Sequence, residues 1–169
     1  SLMPTHHLLA GFTLGCSCDR PGSSEQGIAE NARSGCRVVV ADVDLLMCDA
    51  LVETCRAHSL LFVVECCAQT AEDAVPALRR AKRLGALCVS VHAGAATMTA
   101  GEAGELADAL LDVAGRERVR LLFRTCRGCI MQDLGRASEL CERVPRLRVA
   151  LAPAHYGADA GLPAPTRAL

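Results

Sequence analysis

Residues 87–125 read LCVSVHAGAATMTAGEAGELADALLDVAGRERVRLLFRT. Leu87–His92 is a short, almost unbroken apolar run, and Val119–Thr125 is a second. Runs without polar alternation suit strands covered on both faces, the pattern of a parallel sheet. Between them, Thr99 with Glu102 makes a capping-box helix start. Leu106, Leu110 and Val113 then fall on one helical face, ready to pack on a sheet. That helix is expected to end near Gly115. Strand, helix, strand in this length is one βα unit followed by the strand of the next.

The same rhythm extends in both directions. Further strands are expected at Leu8–Leu14, Arg37–Val43, Leu60–Cys66 and Leu147–Ala152. Ser23 with Gln26 opens a first helix, and Gly35 stops it. Asp49 is expected to cap a second, which runs through His58. Thr70 with Asp73 opens a third, Pro76 delays its regular part, and Gly85 ends it. A fifth runs from about Gln132 to Arg143 and stops before Pro145. Six strands alternating with five helices mean α/β with a parallel sheet. The reading is a parallel (β/α) repeat of the TIM-barrel kind, incomplete, with about six of the eight units a closed barrel needs. A doubly wound open sheet has the same alternation. No G-x-G-x-x-G or G-x-x-x-x-G-K-[ST] follows the first strand, which weakens a nucleotide-binding version.

Residues 3–157 are read as one (β/α) domain, and the Gly/Ala/Pro-rich stretch 158–169 as a loose tail. Six strands leave two open edges, so association through those edges, most simply as a homodimer, is expected. Half the residues are hydrophobic (51%), yet the chain has three Phe, one Tyr and no Trp, so Leu, Val, Ala and Cys must build the core. A net charge of -1 argues against a nucleic-acid or anionic-membrane partner. No apolar run reaches the roughly 18 residues of a membrane span. The first residues, SLMPTHHLLAGF, lack a basic region followed by a long apolar stretch, so no secretion signal is read. The eleven cysteines, an odd number, are then expected as small buried hydrophobes in a reducing cytoplasm.

The second half resembles the xylose-isomerase-like sugar phosphate isomerase/epimerase barrels. Val89-Ser90-Val91-His92-Ala93-Gly94 is similar to that family's fourth strand, which ends in His-x-Gly. Phe123-Arg124-Thr125-Cys126-Arg127-Gly128 stands where the family commonly has Glu-Thr-His-x-Gly, and Gln132-Asp133 matches the start of the next helix. Residues 144–156, VPRLRVALAPAHY, resemble the family's sixth-strand segment. The resemblance implies a sugar isomerase or epimerase and a divalent metal at the strand ends. The chain departs from the family at that metal. Arg124 replaces the fifth-strand Glu and Ala152 the sixth-strand Asp. A guanidinium cannot bind a cation and a methyl group has no lone pair. No cofactor is therefore expected.

In such folds chemistry gathers at the C-terminal ends of the strands. His92 and His155 match family positions associated with substrate hydroxyls, and an imidazole can donate at one nitrogen and accept at the other. Glu65, following Phe62-Val63-Val64, is expected at the strand tip as a general base. Arg124 and Arg127, with Asp44, are the candidate substrate-binding residues. The plainer reading of every one of these is a loop-proximal polar group. Cys126-x-x-Cys129 has zinc or redox spacing, and Cys16-x-Cys18 lies after the first strand. One such pair is a weak signal. Three readings stand: an isomerase on a small sugar or polyol, a non-catalytic binding relative, and a Cys/His zinc or redox protein.

Overall fold

The computed structural model describes residues 15–17 and 25–152. Strands and helices alternate along them. β1 is Gly15–Ser17, α1 Glu25–Arg33, β2 Val38–Asp42, α2 Asp49–Ala57, β3 Leu61–Ala68 and α3 Val75–Leu84. They continue as β4 Cys88–Ala93, α4 Ala100–Glu117, β5 Leu121–Arg124, α5 Leu134–Arg143 and β6 Val149–Ala150. The six strands form one sheet in the order β1-β2-β3-β4-β5-β6. β1/β2, β2/β3 and β5/β6 pair in parallel, with Val38 opposite Leu61, Asp42 opposite Glu65 and Phe123 opposite Val149. Sequential order with parallel pairing is the (β/α) repeat expected from the apolar runs.

Local chemistry sets the element ends. At the start of α4 the Glu102 carboxylate accepts from the Thr99 N–H (2.8 Å) and hydroxyl (2.7 Å), while the Glu102 N–H donates to Thr99 Oγ1 (3.3 Å). This is the capping box read from the sequence. Ahead of α3, Asp73 Oδ2 accepts from the N–H groups of Gln69 (2.9 Å) and Thr70 (2.8 Å). A 3-10 turn over Glu72–Ala74 then leads into the helix, with Pro76 in its first turn. Asp133 caps α5 by accepting from the Arg136 N–H at 2.8 Å.

Several expected boundaries shift. Asp49 does not cap α2. It is the first helical residue and Cys48 precedes it, so the carboxylate acts on the helix dipole instead. α4 ends near Gly115, as expected, but not at it, since its φ is not left-handed. The helix runs two residues further and Arg118 takes the left-handed conformation (φ 58°). One helical glycine costs only about 1 kcal/mol, too little to stop a packed helix. α5 begins at Leu134, two residues after Gln132, since Asp133 is its cap, and ends at Arg143 as expected. β5 is shorter than Val119–Thr125 and β6 shorter than Leu147–Ala152. The expected strand Leu8–Leu14 lies outside the described residues. Cys16 sits within β1, not after it.

The residues group into two compact units, and the division cuts β3 between Cys66 and Cys67 and β4 between Val89 and Ser90. Unit 1 holds residues 1–66, 76–89 and 117–120. Its core includes Val39, Ala41, Leu46, Cys55, Val64 and Leu78, each with no exposed surface. Unit 2 holds residues 67–75, 90–116 and 121–169. It buries Val91, Ala107, Leu110, Phe123 and Ile130 as completely. Leu106, Leu110 and Val113 all face inward from α4, as their spacing predicts. Aliphatic side chains and thiols build most of both cores, with one buried aromatic in each, Phe62 in unit 1 and Phe123 in unit 2.

Candidate functional site

The candidate site grows from one register. In the β5/β6 ladder the Phe123 N–H donates to the Arg148 carbonyl (2.8 Å), and Phe123 stands opposite Val149. The Val89 N–H donates in the same way to the Arg120 carbonyl (2.8 Å). The same phase, carried along the two neighbouring strands, sets His92 opposite Arg124 within unit 2. Arg124 in turn stands opposite Ala150. Residues in one row of a parallel sheet project to one face, and neighbours along a strand project to the other. Ser90, His92, Leu122, Arg124 and Ala150 therefore share a face, and Val91, Phe123 and Val149 share its reverse. The two faces differ in kind. Val91 and Phe123 are wholly buried, whereas His92 and Arg124 are half-buried. Ser90 is 3% exposed, and among the described residues nothing hydrogen-bonds its hydroxyl. A buried hydroxyl left so costs about 1–3 kcal/mol.

The loops after β4 and β5 are tied to each other. The Ile130 N–H donates to the Ala93 carbonyl (3.0 Å), and the Ala96 N–H to the Gly128 carbonyl (3.0 Å). From α5, the Arg136 guanidinium donates to the carbonyls of Ala96 and Met98. Gly94 N–H donates to the Ala68 carbonyl at the end of β3 (2.8 Å), and the Gln69 side-chain amide donates to the Gly94 carbonyl (3.3 Å). Gly94 has φ +59°, and a Cβ there would lie 2.7 Å from Ile130 Cγ2 and from Met98 Sδ. Only glycine meets both demands. Beyond β5, the Thr125 hydroxyl accepts from the Ala152 N–H (2.8 Å), so the β5/β6 pairing continues past its last ladder residue.

The expected site residues divide between the units. His92 and Arg124 come together in one row of unit 2, and Arg127 is exposed on the loop that follows. Glu65 and Asp44 belong to unit 1. Glu65 is not at a strand tip. β3 continues three residues beyond it to Ala68, and its side chain is buried. Its carbonyl accepts from the Val43 N–H (3.0 Å). Asp44 is exposed and leads into the 3-10 turn Leu45–Met47, its N–H donating to Asp42 Oδ1 (2.9 Å). His155 and the tail 158–169 lie outside the described residues.

The sulfur and metal readings meet the same local chemistry. Cys126 and Cys129 are buried free thiols. Burial, aided by the neighbouring Cys129, pushes the Cys126 thiol up to about 12. Cys129 Sγ donates to the Cys126 carbonyl (2.9 Å) and accepts from the Met131 N–H (3.4 Å). A thiol so held is a turn-forming group, not a thiolate ready to bind zinc or attack a disulfide. Among the described residues no three His, Cys, Asp or Glu side chains gather closely enough to hold a metal ion. The divalent metal that the resemblance implies does not fit the donors at hand, since Arg124 and Ala152 stand at two of its carboxylate positions.

Ser90, Gln69 and Arg136 were not among the expected site residues. Ser90 was legible in principle, two residues before His92 on the same strand and hence on its face. Gln69 and Arg136 act on backbone carbonyls of a distant loop, which no local pattern marks.

No family model matches the chain, and no curated protein matches it. Solved structures do. AsbF of Bacillus anthracis, the probable 3-DHS dehydratase involved in petrobactin synthesis, superposes with a TM-score of 0.68 at 12% identity, over 85% of this chain and 64% of that one. A D-psicose 3-epimerase solved in the presence of D-fructose gives 0.55 at 8% identity, over 81% of this chain and 61% of that one. A xylose isomerase domain protein from Planctomyces limnophilus gives 0.54 at 12% identity, over 81% and 59%. The chain thus spans less than two thirds of each of these structures. At such identities the likeness shows the fold alone: a parallel (β/α) repeat that makes up part of a TIM barrel, with xylose-isomerase-like barrels among its structural neighbours.

Proposed function

We propose that the chain binds a small polyhydroxylated ligand, a sugar or polyol, on the strand-end face of unit 2, as a relative of the sugar isomerase/epimerase barrels that does not use their metal centre. One observation carries this reading: Ser90, His92 and Arg124 share one face of the sheet, and its reverse carries the wholly buried Val91 and Phe123. Imidazole, guanidinium and hydroxyl offer both donors and acceptors to a ligand's hydroxyl groups. The structural likeness to D-psicose 3-epimerase and to a xylose isomerase domain protein supports the ligand class. Arg124 and Ala152, at positions where the resemblance puts carboxylates, favour binding over metal-dependent turnover.

Titration of 15N-labelled protein with ketoses, aldoses and polyols tests the proposal. Amide shifts are expected to cluster on Ser90, His92, Arg124 and the loops that follow, and to vanish in His92→Ala. Shifts confined to other elements, or none at millimolar ligand, would overturn it. Conversion of ketose to aldose or of one epimer to another, lost in the same variant, would make the chain an enzyme of that class.

A further inference from the structure

We infer that Arg136 is the positioning residue of this site: its guanidinium latches the loop after His92 to the helix after Arg124, so the strand-end rim is held as one preformed body. The inference rests on the proposed ligand face for its meaning, but the latch itself is a property of the loops.

Four hydrogen bonds join the segment 93–98 to the segment 128–136. Two are single backbone bonds, Ile130 to Ala93 and Ala96 to Gly128. The other two come from one side chain, Arg136, to the carbonyls of Ala96 and Met98. Those carbonyls lie ahead of α4, so the helix does not use them. A planar guanidinium reaches two carbonyls at once, and a charged donor makes hydrogen bonds roughly twice as strong as a neutral one. Arg136 is half-buried, which lessens competition from water. Its own place is fixed from below, because its N–H is the one that Asp133 accepts at the start of α5. Helix cap and loop latch therefore share one residue.

The loop cannot drift without moving the site. Ala93, whose carbonyl takes the Ile130 N–H, directly follows His92. Gly94 sits against Ile130, Met98 and Leu106 with no space for a methyl group. A latch on Ala96 and Met98 thus sets the backbone that carries the His92 ring. The rim is built to receive a ligand without folding over it, which reduces the ordering cost of binding.

The test compares Arg136→Gln and Arg136→Lys with the parent chain by amide hydrogen exchange, urea unfolding and titration with D-fructose. In Arg136→Gln, exchange across 94–99 and 126–131 is expected to quicken at least tenfold, with little change in the slowest-exchanging strands. Arg136→Lys, which keeps the charge but not the fork, is expected to fall between. Affinity for D-fructose is expected to drop in the same order. Unchanged exchange in these loops would overturn the latch, and so would exchange that rises equally everywhere along with a lowered urea midpoint. Loops that loosen while affinity stays constant would overturn the positioning role. If the parent chain binds no sugar, the proposed function fails while the exchange data still decide the latch.

Discussion

At the scale of the residue, Gly94 is the most demanding position in the site. It needs a left-handed φ of +59° and an absent Cβ, because Ile130, Met98 and Leu106 all lie within 3 Å of where one would be. Gly94→Ala is expected to destabilise the fold by about 2–4 kcal/mol, combining the left-handed penalty with overpacking. Urea denaturation checks this, and an unchanged midpoint would show that Met98 and Ile130 can move aside. The sequence marked Gly94 as the end of a His-x-Gly motif without saying why glycine was needed. The reason lies in side chains from the next loop and helix, which local pattern does not contain. The same limit explains Glu65. The apolar run suggested a strand that ends at Cys66, one residue past Glu65, yet Cys67 and Ala68 continue the strand. His92 and Arg124 were legible individually, as polar ends of apolar runs. Their placement in one row depended on a register that only coordinates give.

At the scale of the element, two helix starts were fully legible, because a cap is local chemistry spelled within four residues. Thr99 with Glu102 and Thr70 with Asp73 both form as read. The ends were legible too: Gly35 and Gly85 stop α1 and α3 and α5 ends at Arg143 as expected, while α4 runs two residues past Gly115, where Glu117 pairs with Arg79 (3.1 Å) and Lys82 (3.8 Å). The caps also predict a pH response. Hydrogen bonds from the Thr99 N–H and hydroxyl hold the Glu102 carboxyl below its usual 4.5, and those from Thr70 and Gln69 hold Asp73 below 3.8. A folded-state value lowered in this way adds stability above the unfolded pKa and loses it as pH falls through the folded one. The melting temperature should therefore fall more steeply below about pH 4.5 in the parent chain than in Glu102→Gln, whose amide keeps an acceptor but no titrating charge. Parallel acid profiles for the two proteins would show that the cap contributes nothing to acid stability. Both groups are exposed, so the difference should be a few degrees at most and should shrink with added salt.

At the scale of the whole molecule, the (β/α) repeat is set by periodic apolar runs, while chemistry is set by the few side chains at their ends. A TM-score of 0.68 to AsbF at 12% identity means that the backbone path is kept while nearly every side chain differs. Where the resemblance puts metal-binding carboxylates, this chain has Arg124, beside His92 in the sheet and opposite Ala150, and Ala152. A guanidinium at that point repels a divalent cation as well as failing to bind it, whereas a ligand's hydroxyl oxygens accept from it readily. The expected result follows: neither Mn²⁺ nor Co²⁺ raises the melting temperature. A native-state metal at a hundred times its dissociation constant would add about 2.7 kcal/mol, which is about 6–10 °C for a domain of this size. Thermal melts with and without millimolar metal, in protein first stripped with chelator, resolve a shift of that size easily. A rise of several degrees would mean that donors other than Arg124 and Ala152 assemble a cation site, and binding without a metal centre would fall with it. No rise, together with sugar-induced shifts at His92 that persist in chelator, would mean that the face carrying Ser90, His92 and Arg124 takes its ligand through hydrogen bonds alone.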